Sequence, residues 1–340
     1  MASVVTDVGG PPFSLAEVRS LAARLADDLV VTPVTAWECD ETLDALGADT
    51  RIILKLELFQ RTGTFKPRGA LTVLADSAPD ALRNGVTAVS AGNHAIAVAY
   101  AAKRRGISAK VVMTSSASPA RIERCRRFGA EVVLAPDVHA AFEMVEAIKR
   151  DERRLFVHPF EGPLTALGTA TLGLEFAEQA GPLDAVVIPI GGGGLCAGAA
   201  NAIKLIQPDC LIYGVEPVGA DAMSRSFAAG EPVRLERIDT IADSLAPPFA
   251  LPYSFDLCRR AVERIVLVSD DEICAAVDIL FRAAKLAVEP AGASALAAAL
   301  GPLRAELAGK RVGLLVCGTN IDLETFYRHA GRGQALNGRL

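Results

Sequence analysis

Residues 183–206 read LDAVVIPIGGGGLCAGAANAIKLI. The first eight form an apolar, β-branched run, which is how a strand buried on both faces looks. Four glycines follow, then an Ala-rich helical pattern, and CLIYGVEP (210–217) reads as the next strand. A strand, a turn, a helix and a second strand make a βαβ unit with parallel strands. The backbone amides of Gly191, Gly192, Gly193, Gly194 and Leu195 lie at a helix start with almost no side chain in the way. There they are able to wrap an anion such as phosphate. A purely structural turn is the bland alternative, but four glycines in a row lose much chain entropy on folding. That loss favours a group that must approach closely.

The same rhythm extends along the chain. RIILKLEL (51–58) is a strand, and QRTGTFKPRGA (60–70) places Lys66 at a strand-to-helix junction, where active-site groups are often presented. TAVSAGNHAIAVAYAAKRRG (87–106) reads as strand, turn and helix. AKVVMT (109–114) and AEVVLA (130–135) are strands flanking the helix SPARIERCRRFG. Ser14 with Glu17, and Ser269 with Glu272, form capping boxes that start two amphipathic helices. RVGLLVCGTNID (311–322) is a last core strand running into a loop, and the Arg- and Gly-rich tail past Tyr327 is expected to fray. The architecture is α/β, in two open twisted-sheet lobes with the site between them at the carboxyl ends of strands. Residues 1–77 and 158–340 are expected to form the larger lobe and 84–154 the smaller.

Bulk properties narrow the partners. A 340-residue chain that is 51% hydrophobic builds a substantial core, and a net charge of −5 disfavours nucleic acid and anionic membranes. The uncharged stretch 185–203 contains Pro189 and the four glycines, so it is a turn rather than a membrane span. The N-terminal segment lacks the basic and apolar regions of a secretion signal. Seven scattered cysteines without a CxxC pair suit a reducing compartment, so a soluble, cytoplasmic protein is expected. His139, His158 and His329 show no ligand spacing, and no metal is expected.

A nicotinamide-binding fold competes for the glycines. Gly192, Gly194 and Ala197 fit G-x-G-x-x-G/A, and Glu216 ends the next strand near the offset of about 20 residues expected of a ribose-binding acid. That alternative leaves TGTFKPRGA, SAGNHA and VCGTNID without a role.

Taken together, KLELFQRTGTFKPRGA, SAGNHA, PIGGGGL, GVEP, TIAD, VEPAGA and VCGTNID resemble, in the same order, the threonine dehydratase and serine racemase family. This is the tryptophan synthase β-like fold type II of pyridoxal phosphate enzymes, and the resemblance runs from VTPV (31–34) to residue 322. It implies pyridoxal 5′-phosphate as cofactor, bound covalently to Lys66, with Phe65 against its ring. Asn93 would face the ring hydroxyl, Gly191, Gly192, Gly193, Gly194 and Leu195 would hold the phosphate, and Cys317 would face the pyridine nitrogen. Glu289 would stand behind these groups. Ser90, Ala91, Gly92 and His94 would form the turn that grips the substrate carboxylate. The implied reaction is dehydration of L-threonine, L-serine or a related 3-hydroxy amino acid to a 2-oxo acid and ammonia, by a homodimer. A racemase, a dehydrogenase and a non-catalytic ligand-binding relative are the alternatives.

Departures from the family pattern sharpen the expectation. Ala91 stands where racemases of this family carry a serine, so a proton donor on the face opposite Lys66 is missing and racemisation should be poor. Ser244 stands where a glycine is usual, and Ala222 where metal-dependent members have an acid. The segment IDTIADSLAPPFALPYSFDLC (238–258) contains no Lys or Arg but has Pro247, Pro248, Phe249, Tyr253 and Phe255. A β-substituent that is apolar or small, even a bulky one, is therefore expected rather than a second carboxylate, whose unpaired burial costs several kcal/mol. No regulatory domain is expected after the last loop.

Overall fold

The structure is a computed structural model that describes residues 11–90 and 92–338, so Ala91 lies outside the described residues. Among these, ten strands form two sheets: β1 (Val34–Trp37), β2 (Arg51–Leu56), β3 (Val86–Val89), β4 (Ala109–Thr114), β5 (Glu131–Ala135), β6 (Leu155–Phe156), β7 (Ala185–Pro189), β8 (Leu211–Pro217), β9 (Arg264–Val268) and β10 (Arg311–Val316). The six-stranded sheet has the order β1-β2-β10-β7-β8-β9 and the four-stranded sheet β5-β4-β3-β6. Only β1 and β2 pair antiparallel among the described residues; the other pairings are parallel. β7 is buried along its whole length, as its unbroken apolar run requires.

One helix goes unannounced by the sequence and a second replaces the expected frayed tail. The helix Pro163–Ala180 carries no amphipathic signal because most of its circumference is buried. It lies directly on the helix Gly194–Ile206, and a Cβ on Gly198 would meet the carbonyl oxygen of Ala166 at 2.1 Å. The tail does not fray. Residues Leu323–Asn337 form a helix capped by Asp322, with Phe326, His329 and Gly333 buried. Gly333 permits the contact, since a Cβ there would stand 2.0 Å from the carbonyl oxygen of Cys274. Arg332 pairs with Asp271 at 2.7 Å and Asn337 donates to Asp278 at 2.7 Å, so the polar tail residues bind the helix Asp270–Ala284.

A charged cluster inside the fold fixes the segment that carries Lys66. Arg68, in the first turn of the helix Pro67–Asp76, is buried with Glu57. Its Nε and Nη2 donate to the two Glu57 carboxylate oxygens at 2.8 and 2.7 Å, and Nη2 also reaches Glu175 at 3.0 Å. Lys55 donates to Glu175 at 2.5 Å and to the Thr32 carbonyl at 2.9 Å. Two cations and two carboxylates thus neutralise each other. Burial opposes the Arg68 charge, but Glu57 and Glu175 outweigh it and raise its pKa above the usual value.

Breaking a buried pair from one side strands the partner's charge, at a cost of roughly 3–5 kcal/mol. Arg68→Met should therefore lower the stability read from urea unfolding by that order. Arg68→Met/Glu57→Met should be less damaging than the single change. A single-variant loss below about 1 kcal/mol would show that the cluster does not hold the segment.

Candidate active site

A cavity of about 1000 Å³ opens between the two sheets, at the carboxyl ends of β3, β4, β7 and β10. Phe65, Lys66, Ser90, Gly92, Asn93, His94, Gly191, Gly192, Gly193, Gly194, Leu195, Glu289 and Cys317 all line it. Every site residue expected from the sequence within the described residues is therefore brought to one place.

Lys66 directly precedes Pro67, the first residue of its helix, whose fixed φ suits a helix start. The loop before it is pinned to the last loop: Phe65 N donates to Cys317 O at 3.4 Å, and Thr319 N to Gly63 O at 3.0 Å. Gly63 needs its φ of +78° there. The Lys66 amine donates to Pro159 O at 2.6 Å and stands 5.1 Å from the Phe65 ring centroid. Desolvation brings its pKa down to about 8, although Cys317 and Glu289 act in the opposite direction. A buried amine of this kind is unprotonated often enough to act as nucleophile or base.

The glycine loop combines tight packing with free donors. A Cβ on Gly192 would overlap the Phe160 ring at 2.3–2.4 Å, and Gly193 has φ +90°. The helix Gly194–Ile206 starts there without a side-chain cap. The amides of Gly191 to Leu195 donate to no other group among the described residues.

Asn93 is the centre of a polar chain. Its Nδ2 donates to Glu289 Oε1 at 2.7 Å and to Ser244 Oγ at 3.1 Å, and its Oδ1 accepts from Asn320 Nδ2 at 2.7 Å. The other Glu289 oxygen, Oε2, is buried with no hydrogen-bond partner. Burial, followed by the charge of Asp243, pushes the Glu289 carboxyl up to about 7 against the pull of Arg121. Burial likewise raises the Cys317 thiol, which stays neutral. His94 Nε2 lies 2.7 Å from Val157 O, and burial drops its pKa to about 3, so it is neutral and donates from Nε2. Ser90 Oγ accepts from Gly92 N at 3.2 Å.

Sequence reasoning passed over several groups here. Arg121 sits beside Gly92, pairs with Asp243 at 2.6 Å and donates to Asn320 O at 2.8 Å, joining the two sides of the cavity. Nothing separates it in sequence from the other arginines of its helix. Phe142 and Phe160 line the cavity from stretches that match no motif, whereas Asn320 belongs to the quoted VCGTNID segment.

Glu216 is not free for a ribose. It is buried, and its two oxygens accept from Met223 N at 3.0 Å and Ser224 N at 2.7 Å, closing the start of the next helix. Among the described residues, no group of three His, Cys, Asp or Glu side chains is placed to hold a metal ion. No helix described is long and apolar enough to cross a membrane.

An amide cradle at a helix start, an orphaned buried carboxyl oxygen and an amine of lowered basicity fit the phosphate, the polar ring and the aldehyde of pyridoxal phosphate. The family model "Pyridoxal-phosphate dependent enzyme" matches residues 27–318. The chain is 56% identical to phenylserine dehydratase of Ralstonia pickettii over 94% of this chain and 97% of that one. It is 37% identical to L-threonine ammonia-lyase of Thermotoga maritima over 85% of this chain and 72% of that one. The structure of maize serine racemase superposes with a TM-score of 0.86 at 31% identity, covering 96% and 98% of the two chains. The chain belongs to the pyridoxal-phosphate dependent enzyme family, with the threonine dehydratase and serine racemase group among its relatives. It is a pyridoxal phosphate-dependent lyase of fold type II, and the nicotinamide alternative is set aside.

With a pKa of about 8, Lys66 is neutral in roughly a tenth of molecules at pH 7 and in half at pH 8. Uptake of pyridoxal phosphate by the apoenzyme, followed by visible absorbance, should therefore accelerate through pH 8 and level off above it. An unperturbed lysine would instead still be gaining rate above pH 10.

Proposed function

We propose that the protein dehydrates 3-hydroxy amino acids whose β-substituent is an aryl ring, giving the arylated 2-oxo acid and ammonia. The observation that carries this is the cavity wall opposite the polar chain, which Phe160, Phe249, Phe142, Pro247 and Pro248 build from both lobes. Of the two arginines on the cavity lining, Arg121 is engaged with Asp243 at 2.6 Å, and Arg328 is an exposed side chain beside Glu324. A second carboxylate would meet aromatic surface there. The 56% identity to a phenylserine dehydratase supports the same substrate class.

In this proposal the amides of Gly191, Gly192, Gly193, Gly194 and Leu195 hold the cofactor phosphate. Asn93 would face the ring hydroxyl, Phe65 would pack on the ring, and the neutral Cys317 thiol would meet the pyridine nitrogen. The cofactor, when bound, supplies the electron sink that makes the Cα proton of an attached amino acid acidic. Ser90, Gly92 and His94 orient the substrate carboxylate at the start of the helix Asn93–Arg105. Ala91 completes that turn in sequence. The Lys66 amine takes the Cα proton. A thiol is a weak donor, so Cys317 would add little positive charge to a pyridine nitrogen held there, which would favour elimination over racemisation. The β-hydroxyl takes up the proton that Lys66 now carries and leaves as water, and addition of water to the released enamine gives the 2-oxo acid and ammonia.

Two lobes divided near 77–84 and 154–158 are part of the same proposal, supported by the segregation of β3, β4, β5 and β6 into their own sheet. A cytoplasmic homodimer is proposed on the family resemblance and the seven free cysteines. Racemisation is the second reading, favoured by the likeness to serine racemase and opposed by Ala91.

In a substrate panel, kcat/KM should be highest for 3-phenylserine, lower for threonine and serine, and lowest for 3-hydroxyaspartate. Chiral chromatography of the L-serine reaction should find pyruvate and only traces of D-serine. A preference for 3-hydroxyaspartate would overturn the substrate class, and substantial D-serine would overturn the role given to Ala91.

A further inference from the structure

We infer that Phe249 and Phe142 select the substrate, by offering its aryl ring a joint aromatic surface built from one fixed side chain and one carried across from the other lobe. The inference rests on the aryl substrate proposed above and assigns its recognition to two residues.

Aromatic contacts lead outward from Lys66. The Lys66 amine touches Pro159 O, and the next residue, Phe160, lies edge-on to His158 with centroids 4.7 Å apart. Phe160 is immobilised because its ring fills the space where Gly192 lacks a Cβ. Phe249 follows at 6.1 Å from Phe160, and Phe142 at 6.5 Å from Phe249, with planes tilted by 53° and 54°.

The last two rings differ in how they are held. Phe249 lies between two backbone hydrogen bonds, Leu235 N to Pro248 O at 2.7 Å and Ala250 N to Val233 O at 3.1 Å. The exposed Arg234 guanidinium lies 4.6 Å from its ring centroid, a cation–π contact that caps the ring from outside. Phe142 sits on the helix Val138–Glu152, is 37% exposed, and makes its one ring contact among the described residues with Phe249. A phenylalanine serving only the core would be buried, whereas this one projects towards the opposite lobe.

The two rings lie against each other, 6.5 Å between centroids with planes tilted by 54°, as an aromatic pair on the cavity lining. An aryl group packing on this pair would touch both lobes. Serine and threonine have no ring to reach this pair. Aryl binding would thus also draw the small lobe onto the large one, enclosing the reacting carbon.

The test compares wild-type holoenzyme with Phe142→Ala and Phe249→Ala. Each change should lower the ratio of kcat/KM for 3-phenylserine over threonine about tenfold or more, with Phe142→Leu retaining part of the preference. Titration with L-phenylalanine, which lacks the departing hydroxyl, gives a second readout. Its Kd from the visible spectrum should rise about tenfold in both Ala variants, while that of L-alanine should stay within about twofold. If wild type dehydrates 3-phenylserine but the variants lose both substrates alike, or neither, the aryl ring is held elsewhere and the inference falls alone. If wild type dehydrates threonine and not 3-phenylserine, the aryl proposal falls and takes the inference with it.

Discussion

The fork between Arg68 and Glu57, shared with Glu175 and Lys55, is the constraint on which the site depends. Ion pairs this deeply buried add little net stability, because desolvation consumes most of the attraction. Their effect is positional. Glu57 lies just beyond β2, Arg68 two residues past Lys66, and Glu175 on the central helix Pro163–Ala180, so no one of them moves without exposing another's charge. The Lys66 loop is thereby locked to the sheet on one side, while Gly63 and Thr64 lock it to the Gly318 loop on the other. A lysine whose basicity is lowered by burial needs such a frame, since any loosening would let water back to its amine.

The cavity divides into three chemistries. The glycine loop offers amides and no cationic side chain, the polar chain from Asn320 through Asn93 to Glu289 is nearly satisfied internally, and the remaining wall is aromatic. Glu289 Oε2 is the exception: it accepts no hydrogen bond and has only the Arg121 guanidinium at 3.9 Å, and a buried polar atom left without a hydrogen bond costs about 1–3 kcal/mol. Such a cost is sustained where a ligand completes the hydrogen bonding. Ser244, which lines the cavity, adds a hydroxyl that accepts from Asn93, so its departure from the family pattern is joined to the polar chain.

What the sequence revealed follows from the same physics. Strands of a parallel sheet are buried on both faces, so β2, β7, β8 and β10 are legible as apolar runs. The Lys66 loop and the glycine run are local motifs whose chemistry needs neighbours in sequence. The helix Pro163–Ala180 was hidden because burial on nearly all sides erases amphipathicity. The tail helix was hidden because Arg and Gly read as loop until a partner helix is in place. Arg68 and Glu57 belong to a quoted motif, but nothing in the sequence says that they meet Glu175 inside. Arg121 and Asp243 are 122 positions apart in the chain, and only the tertiary fold joins them. Phe142 and Phe160 belong to no motif, so the aromatic wall was anticipated only through Phe249 and its neighbouring prolines.

The central claim is that Lys66, held by this frame, is where the cofactor attaches. Borohydride reduction of the holoenzyme, followed by proteolysis and mass spectrometry, tests it most directly. The pyridoxyl group is expected on the peptide containing Lys66 and nowhere else, with the visible absorbance lost in proportion. A label on Lys55, Lys110 or any other lysine, or full incorporation into a Lys66→Ala variant, would contradict the account.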